Sequence, residues 1–139
     1  MIRIFFDANV FIRFLIKDDH KKADDARKLF ELIEQGKIKA ETSVIVLAEI
    51  VWVLHSFCRV EKKEISEYIS LLVDLKNLLI KDKEIINRAV EIFKNHNIDF
   101  IDAFCASLAM KNKIKYICSY EKDFDRIEGV KRIEPSELI

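Results

Sequence analysis

A run of apolar residues at positions 2–6, interrupted only by Arg3, stops on an acid, Asp7, and hands over at once to the helical pattern VFIRFLIK. The run has the length and composition of a buried strand, and Asn9 suits the N-cap of the helix that follows. This handover constrains the chain more than any other feature. A strand that passes into a helix through a carboxylate puts that carboxylate at the carboxyl edge of a sheet, where open α/β sheets bind ligands. For Asp7 taken alone, a solvated Asp in a strand–helix loop is the plain alternative.

The same alternation continues along the chain. A first helix is predicted over 9–17, and a second over 21–35 gathers Ala26, Leu29, Phe30, Leu32 and Ile33 on one face before Gly36 caps it. Strand 38–42 precedes a helix over 44–58, capped by Ser43 and apolar almost all round, hence expected to be buried. An amphipathic helix over 61–76, a strand at 77–80 and helices over 83–95 and 99–111 follow. Strand 115–118, the acidic turn SYEKDFDRI and a last short strand in VKRIE complete the order. Strands alternating with helices predict an α/β fold with a parallel sheet covered on both faces. Right-handed crossovers then bring the strand ends, and the helix starts after them, to one edge.

Size and composition set the limits. With 139 residues, two Gly and one Pro, the chain is read as a single domain, 1–139, with short connections. Half the residues are hydrophobic and ten are Phe, enough for a filled core. The 24 basic and 24 acidic residues cancel, so the chain lacks the overall basic charge of most duplex-binding modules. A local basic rim around an acidic site stays compatible with that balance. Cys58, Cys105 and Cys118 are widely spaced in apolar runs, which points to buried free thiols in a reducing compartment. No signal-peptide layout precedes the first strand, and the longest apolar run, 44–54, contains Glu49 and is too short to span a bilayer. A soluble, cytoplasmic protein without a membrane partner is expected.

Several acids stand where acids are costly. Glu49 has Ile45, Val46, Trp52 and Val53 as its neighbours three and four positions away, so no helix face offers it an ordinary solvated position. A carboxylate taken from water needs a cation, a metal or a raised pKa; a buried salt bridge to Lys or Arg is the structural alternative. Asp99 and Asp102 share a face at the start of a helix. Asp99 can cap it and Asp102 can favour its dipole, while Ala103 and Ala106 would let the helix approach the sheet and carry Asp102 inward. Glu121, Asp123 and Asp125 follow strand 115–118, where a charged turn is the simplest account, and it suffices for Asp125.

Asp7, Glu49, Asp102 and one acid of the 119–125 turn thus come from four elements that a parallel sheet can bring to one edge. Two carboxylates about 5 Å apart repel by roughly 3 kcal/mol at an effective dielectric of about 20. Clustering several requires cations, and all-oxygen donors without paired His or Cys select Mg²⁺ or Mn²⁺ over zinc. Such carboxylate sets hold metals that grip a phosphate and activate water.

The spacing of FFDANVFIRFL, SVIVLAEIVWVL, DFIDAFCASLA and SYEKDF resembles a PIN-domain ribonuclease of the VapC toxin type, over nearly the whole chain. The resemblance implies a three-layer α/β/α sandwich with a parallel sheet of about five strands. It implies Mg²⁺- or Mn²⁺-dependent cleavage of single-stranded RNA, usually as a homodimer, with a small VapB-like antitoxin protein as inhibitor. Asp7, Glu49 and Asp102 match the core acids, Asp99 an additional acid, and Asp123, ahead of Phe124, the acid of the closing motif. Ser119 stands where Thr is frequent and Glu121 where Asp is, which leaves the fourth ligand open between Glu121 and Asp123. Asn9 and Arg13 also match; Asn9 could orient Asp7, and Arg13 could meet a phosphate, unless they are a cap and a surface residue.

The expected reaction is phosphodiester hydrolysis without a covalent intermediate, with Asp7, Asp102 and the fourth acid holding metal and Glu49 binding metal or the attacking water. Three readings compete. A haloacid-dehalogenase-like phosphatase wants a second Asp two positions after the first, where this chain has Asn9. A housekeeping RNA-processing nuclease would use the same acids, and a non-catalytic PIN-like module would bind RNA or protein without needing them.

Overall fold

Each short apolar run forms a strand and each periodic stretch a helix. The computed structural model describes residues 3–139. Among them the order is β1 (Arg3–Phe5), α1 (Ala8–Leu15), α2 (His20–Glu34), β2 (Lys39–Thr42), α3 (Val44–Ser56), α4 (Lys62–Asp74), β3 (Leu78–Ile80), α5 (Lys83–Asn95), α6 (Phe100–Lys111), β4 (Tyr116–Cys118) and β5 (Lys131–Ile133). A 3-10 helix, Lys122–Arg126, lies between β4 and β5. The strands pair in parallel throughout, β1–β2–β3 in one sheet and β4–β5 in another, so the expected five strands fall into two sheets. The contacts divide the chain into two compact units, residues 1–82 and 83–139.

In the first unit part of the core is an aromatic cluster supplied by α1, α2 and Phe6, the residue after β1. Phe6, Phe11 and Phe30 are buried with ring centroids 5.6–6.2 Å apart, and Phe14 stacks on Phe30 at 4.4 Å. Aromatic packing of this kind adds to the area it buries. The carboxyl end of β1 is fixed by two hydrogen bonds. The Phe6 amide donates to the Glu41 carbonyl at 2.8 Å, and the buried Thr42 hydroxyl donates to the Phe6 carbonyl at 2.9 Å. Helix α2 closes as its periodicity predicts. Gly36, at φ +76°, donates to the Ile33 carbonyl and Lys37 to that of Leu32, the paired bonds of a Schellman end.

Two expectations fail in this unit. Strand β1 is not buried, since Ile4 and Phe5 are 36% and 59% exposed, and Ile2 lies outside the described residues. Helix α3 is not buried all round either. Val46, Leu47, Ile50, Val51 and Leu54 face the core, whereas Ile45 and Trp52 are 77% and 57% exposed, and Trp52 packs edge-on against exposed Phe57. A stretch without polar periodicity does not say which face the core takes.

In the second unit α6 packs chiefly on α5. Ala103, Ala106 and Ser107 lie fully buried, together with Ile86, Ala89 and Val90 of α5. The small residues therefore lie on a helix whose main neighbour is another helix, with β4 a lesser one. Phe124 and Ile127 bury themselves and anchor the 3-10 helix between β4 and β5. All three cysteines are exposed, contrary to the expectation from their apolar surroundings.

Candidate active site

Three acids of the second unit act on a fourth, Asp102. Asp99 sits at the N-cap of α6, yet its side chain makes no capping hydrogen bond, so its carboxylate is not used to close the helix. Asp102, one turn on, is half-buried. Burial pushes its carboxyl above the usual carboxylate range, and the charges of Asp99, Glu121 and Asp123 push it further the same way. Three acids from α6 and the segment after β4 thus act together on a fourth. Among the described residues, however, no three His, Cys, Asp or Glu side chains stand in a geometry that holds an ion. The arrangement is a set of mutually repelling oxygen donors rather than a preassembled cage.

That donor set fits a hard divalent cation by its chemistry. Its members are carboxylates, and an added positive charge is what relieves their repulsion. Asp102 and Asp99, with Glu121 or Asp123, are the residues of this unit that could bind it.

The segment after β4 is tied down at several points. The Glu121 amide donates to the Ser119 hydroxyl at 2.9 Å. Arg132 of β5 donates to both carboxylate oxygens of Asp125, at 3.0 and 3.3 Å, and to the Ser119 carbonyl at 3.1 Å. Arg126 donates to the Asp123 carboxylate and to the Asn97 carbonyl, both at 2.8 Å. Asp123 is therefore ion-paired, while Glu121 is exposed. The role of Arg126 is absent from the motif reading; its signal is the Asp–x–x–Arg spacing of the turn, the ordinary distance for a pair across one helical turn.

The first unit holds the remaining candidates. Asp7 occupies the N-cap of α1 without a side-chain capping bond, so its carboxylate stands exposed at the end of β1. Asn9 is therefore the second residue of the helix rather than its cap. Arg13 is half-occupied elsewhere: it donates to Asp18 at 2.9 Å, beside a groove between α1 and α2 lined by Asn9, Val10, Lys22 and Asp25. Glu49 is exposed, not buried in α3. It projects from the face that carries Ile45 and Trp52, since that face points away from the core. The buried salt bridge is therefore ruled out, and with it the inference that Glu49 must hold a cation because it lies in the core.

Comparison with known proteins completes the description. The family model described as PIN domain matches residues 4–130, a span that runs through both units. The chain is 24% identical over 131 residues to a protein named VapC ribonuclease from Aquifex aeolicus (strain VF5), covering 94% of this chain and 96% of that protein. It is 26% identical over 144 residues to Ribonuclease VapC2 from Methanocaldococcus jannaschii, covering 95% and 93%. Among solved structures, a chain of VapBC2 from Rickettsia felis, bound to a DNA fragment from its promoter, aligns over 96% of this chain and 98% of its own length, with 18% identity and a TM-score of 0.39.

Proposed function

Because the chain belongs to the PIN-domain family, we propose that it is a Mg²⁺- or Mn²⁺-dependent endoribonuclease, acting as the toxin of a toxin–antitoxin pair. The observation that carries this reading is the half-buried Asp102, destabilised as a carboxylate by Asp99, Glu121 and Asp123 within a chain that matches the family from 4 to 130. The names of the two curated relatives, which span nearly the full length of this chain, support ribonuclease over phosphatase.

In this reading Asp7, Asp99, Asp102 and either Glu121 or Asp123 would be the acids that bind metal, and Glu49 would bind it or orient the attacking water and accept its proton. When bound, the metal supplies a Lewis acid for the phosphoryl oxygen and lowers the pKa of water. The raised pKa of Asp102 describes the protein without metal; a bound cation would favour its ionised form. Asn9 and Arg13 sit one turn apart on α1, where they can orient Asp7 and meet a backbone phosphate once Arg13 releases Asp18.

A homodimer and an antitoxin protein belong to the same proposal. The exposed Ile45, Trp52 and Phe57 form an apolar face of the kind that protein partners cover. No helix among the described residues is long and apolar enough to cross a membrane.

The test uses purified protein and single-stranded RNA. Cleavage should require Mg²⁺ or Mn²⁺ and stop on chelation. Asp102→Asn should lower the rate by about two orders of magnitude or more, the scale of losing a group that stabilises developing charge. A metal-independent rate, or an unchanged rate in that variant, would contradict the reading. Mg²⁺ should also raise the melting midpoint of the wild type, because a ligand that binds only the folded state stabilises it. A non-catalytic module predicts no rise.

A further inference from the structure

We propose that Arg126 is a positioning residue that clamps the acidic turn to the start of α6, taking Asp123 as its structural partner and leaving Glu121 as the acid free to ligate. The inference deepens the nuclease reading and rests on it for the ligand role of Glu121.

The geometry is specific. One guanidinium nitrogen of Arg126 donates to the Asp123 carboxylate and to the Asn97 carbonyl, each at 2.8 Å. Asn97 lies two residues before Asp99, the N-cap of α6. The two segments that carry acids acting on Asp102 are therefore joined through a single cationic atom. A charge-assisted bond to a carboxylate and one to a main-chain carbonyl restrain different things. The first fixes the side chain of Asp123, which is 29% exposed; the second fixes the backbone just before α6 begins.

The clamp also separates the roles of two acids that the motif leaves equivalent. Asp123 already has a cation at hydrogen-bonding distance, so binding a metal would mean giving up or sharing that partner. Glu121 is exposed, and its backbone is held by the Ser119 hydroxyl at 2.9 Å. Arg132 holds the far side of the same turn through Asp125 and the Ser119 carbonyl. The turn is thus braced on both sides, and the longer arm of Glu121 projects from a fixed backbone. By holding that backbone Arg126 acts on the ligand at one remove, and loss of outer-shell groups that orient a ligand commonly costs about tenfold or more in metal affinity.

The test uses the full chain, with Mn²⁺ as the probe and no RNA. Wild type, Arg126→Gln, Arg126→Lys, Asp123→Asn and Glu121→Gln are compared by Mn²⁺ titration and by amide hydrogen exchange of the metal-free protein. Arg126→Gln should speed exchange both in the 122–126 turn and at the start of α6, and weaken Mn²⁺ binding roughly tenfold. Arg126→Lys should restore part of both, because an ammonium can also donate to two acceptors. Asp123→Asn should cost less Mn²⁺ affinity than Glu121→Gln. The proposal is overturned if exchange at the start of α6 does not change in Arg126→Gln, if Arg126→Lys behaves no better than Arg126→Gln, or if Asp123→Asn is as severe as Glu121→Gln. Exchange needs no metal. Wild-type protein that takes up no Mn²⁺ would therefore refute the nuclease reading and the ligand role of Glu121, while the exchange data would still decide the clamp.

Discussion

Asp102 is a carboxyl whose charged form the fold disfavours. Its carboxyl titrates above the ordinary Asp range in the folded chain, because burial and three acids disfavour its charged form. Between the unfolded and the folded pKa the native state binds more protons than the unfolded state, so stability falls as pH rises through that window. This is the opposite of the usual salt-bridged Asp. In chelator-treated protein, Asp102→Asn should flatten that part of the stability–pH profile, as measured by denaturant melts, and should be at least as stable as wild type at neutral pH. A variant less stable than wild type at neutral pH would show that the charge is compensated within the fold. Thr42 is a second residue with a definite cost. Its buried hydroxyl serves the Phe6 carbonyl, next to Asp7. Thr42→Val should cost about 1–3 kcal/mol, read as a lower denaturant midpoint with unchanged slope.

Among the elements, the amphipathic helices were the most legible part of the sequence. Periodicity placed α2, α4 and α5 within a few residues of their observed bounds and Asp99 marks the start of α6, whereas α1 begins after Asp7 and not at the expected cap, Asn9. The faces of α3 and α6 were not legible. Both are apolar almost throughout, so hydrophobicity could not say that Ile45, Glu49 and Trp52 face outward or that Ala103 and Ala106 meet α5. Candidate site residues could be named from spacing, but not their partners: Arg13–Asp18 reaches past a helix end that spacing does not encode, and the Asp–x–x–Arg spacing of Asp123 and Arg126 becomes a pair only because the turn is helical. Gly129 shows how tightly the turn before β5 is built. It sits at φ +97°, and a Cβ there would lie 2.7 Å from the Met110 sulfur of α6. Gly129→Ala should destabilise the chain by about 1–3 kcal/mol in a thermal or denaturant melt, partly relieved by the flexible Met110 side chain.

Across the whole molecule, one family match spans residues 4–130 although the contacts divide the chain at Asp82. Parallel pairing holds in both units, as the alternation of strands and helices required. The exposed Trp52 belongs to this scale as well. If the apolar face of α3 is a contact between copies, Trp52→Glu should lower the self-association constant by at least tenfold in sedimentation, a loss typical of a central aromatic anchor. An unchanged constant would place the contact elsewhere. The proposed activity would depend on oxygen donors whose mutual repulsion a divalent cation relieves. The most direct measurement is RNA cleavage by wild type, Asp7→Asn and Asp102→Asn across a Mg²⁺ titration, with folding checked by circular dichroism. The proposed nuclease should cleave as wild type in a metal-dependent way, and neither folded variant should cleave. Cleavage at the wild-type rate by either of them, with Mg²⁺ present, would contradict it.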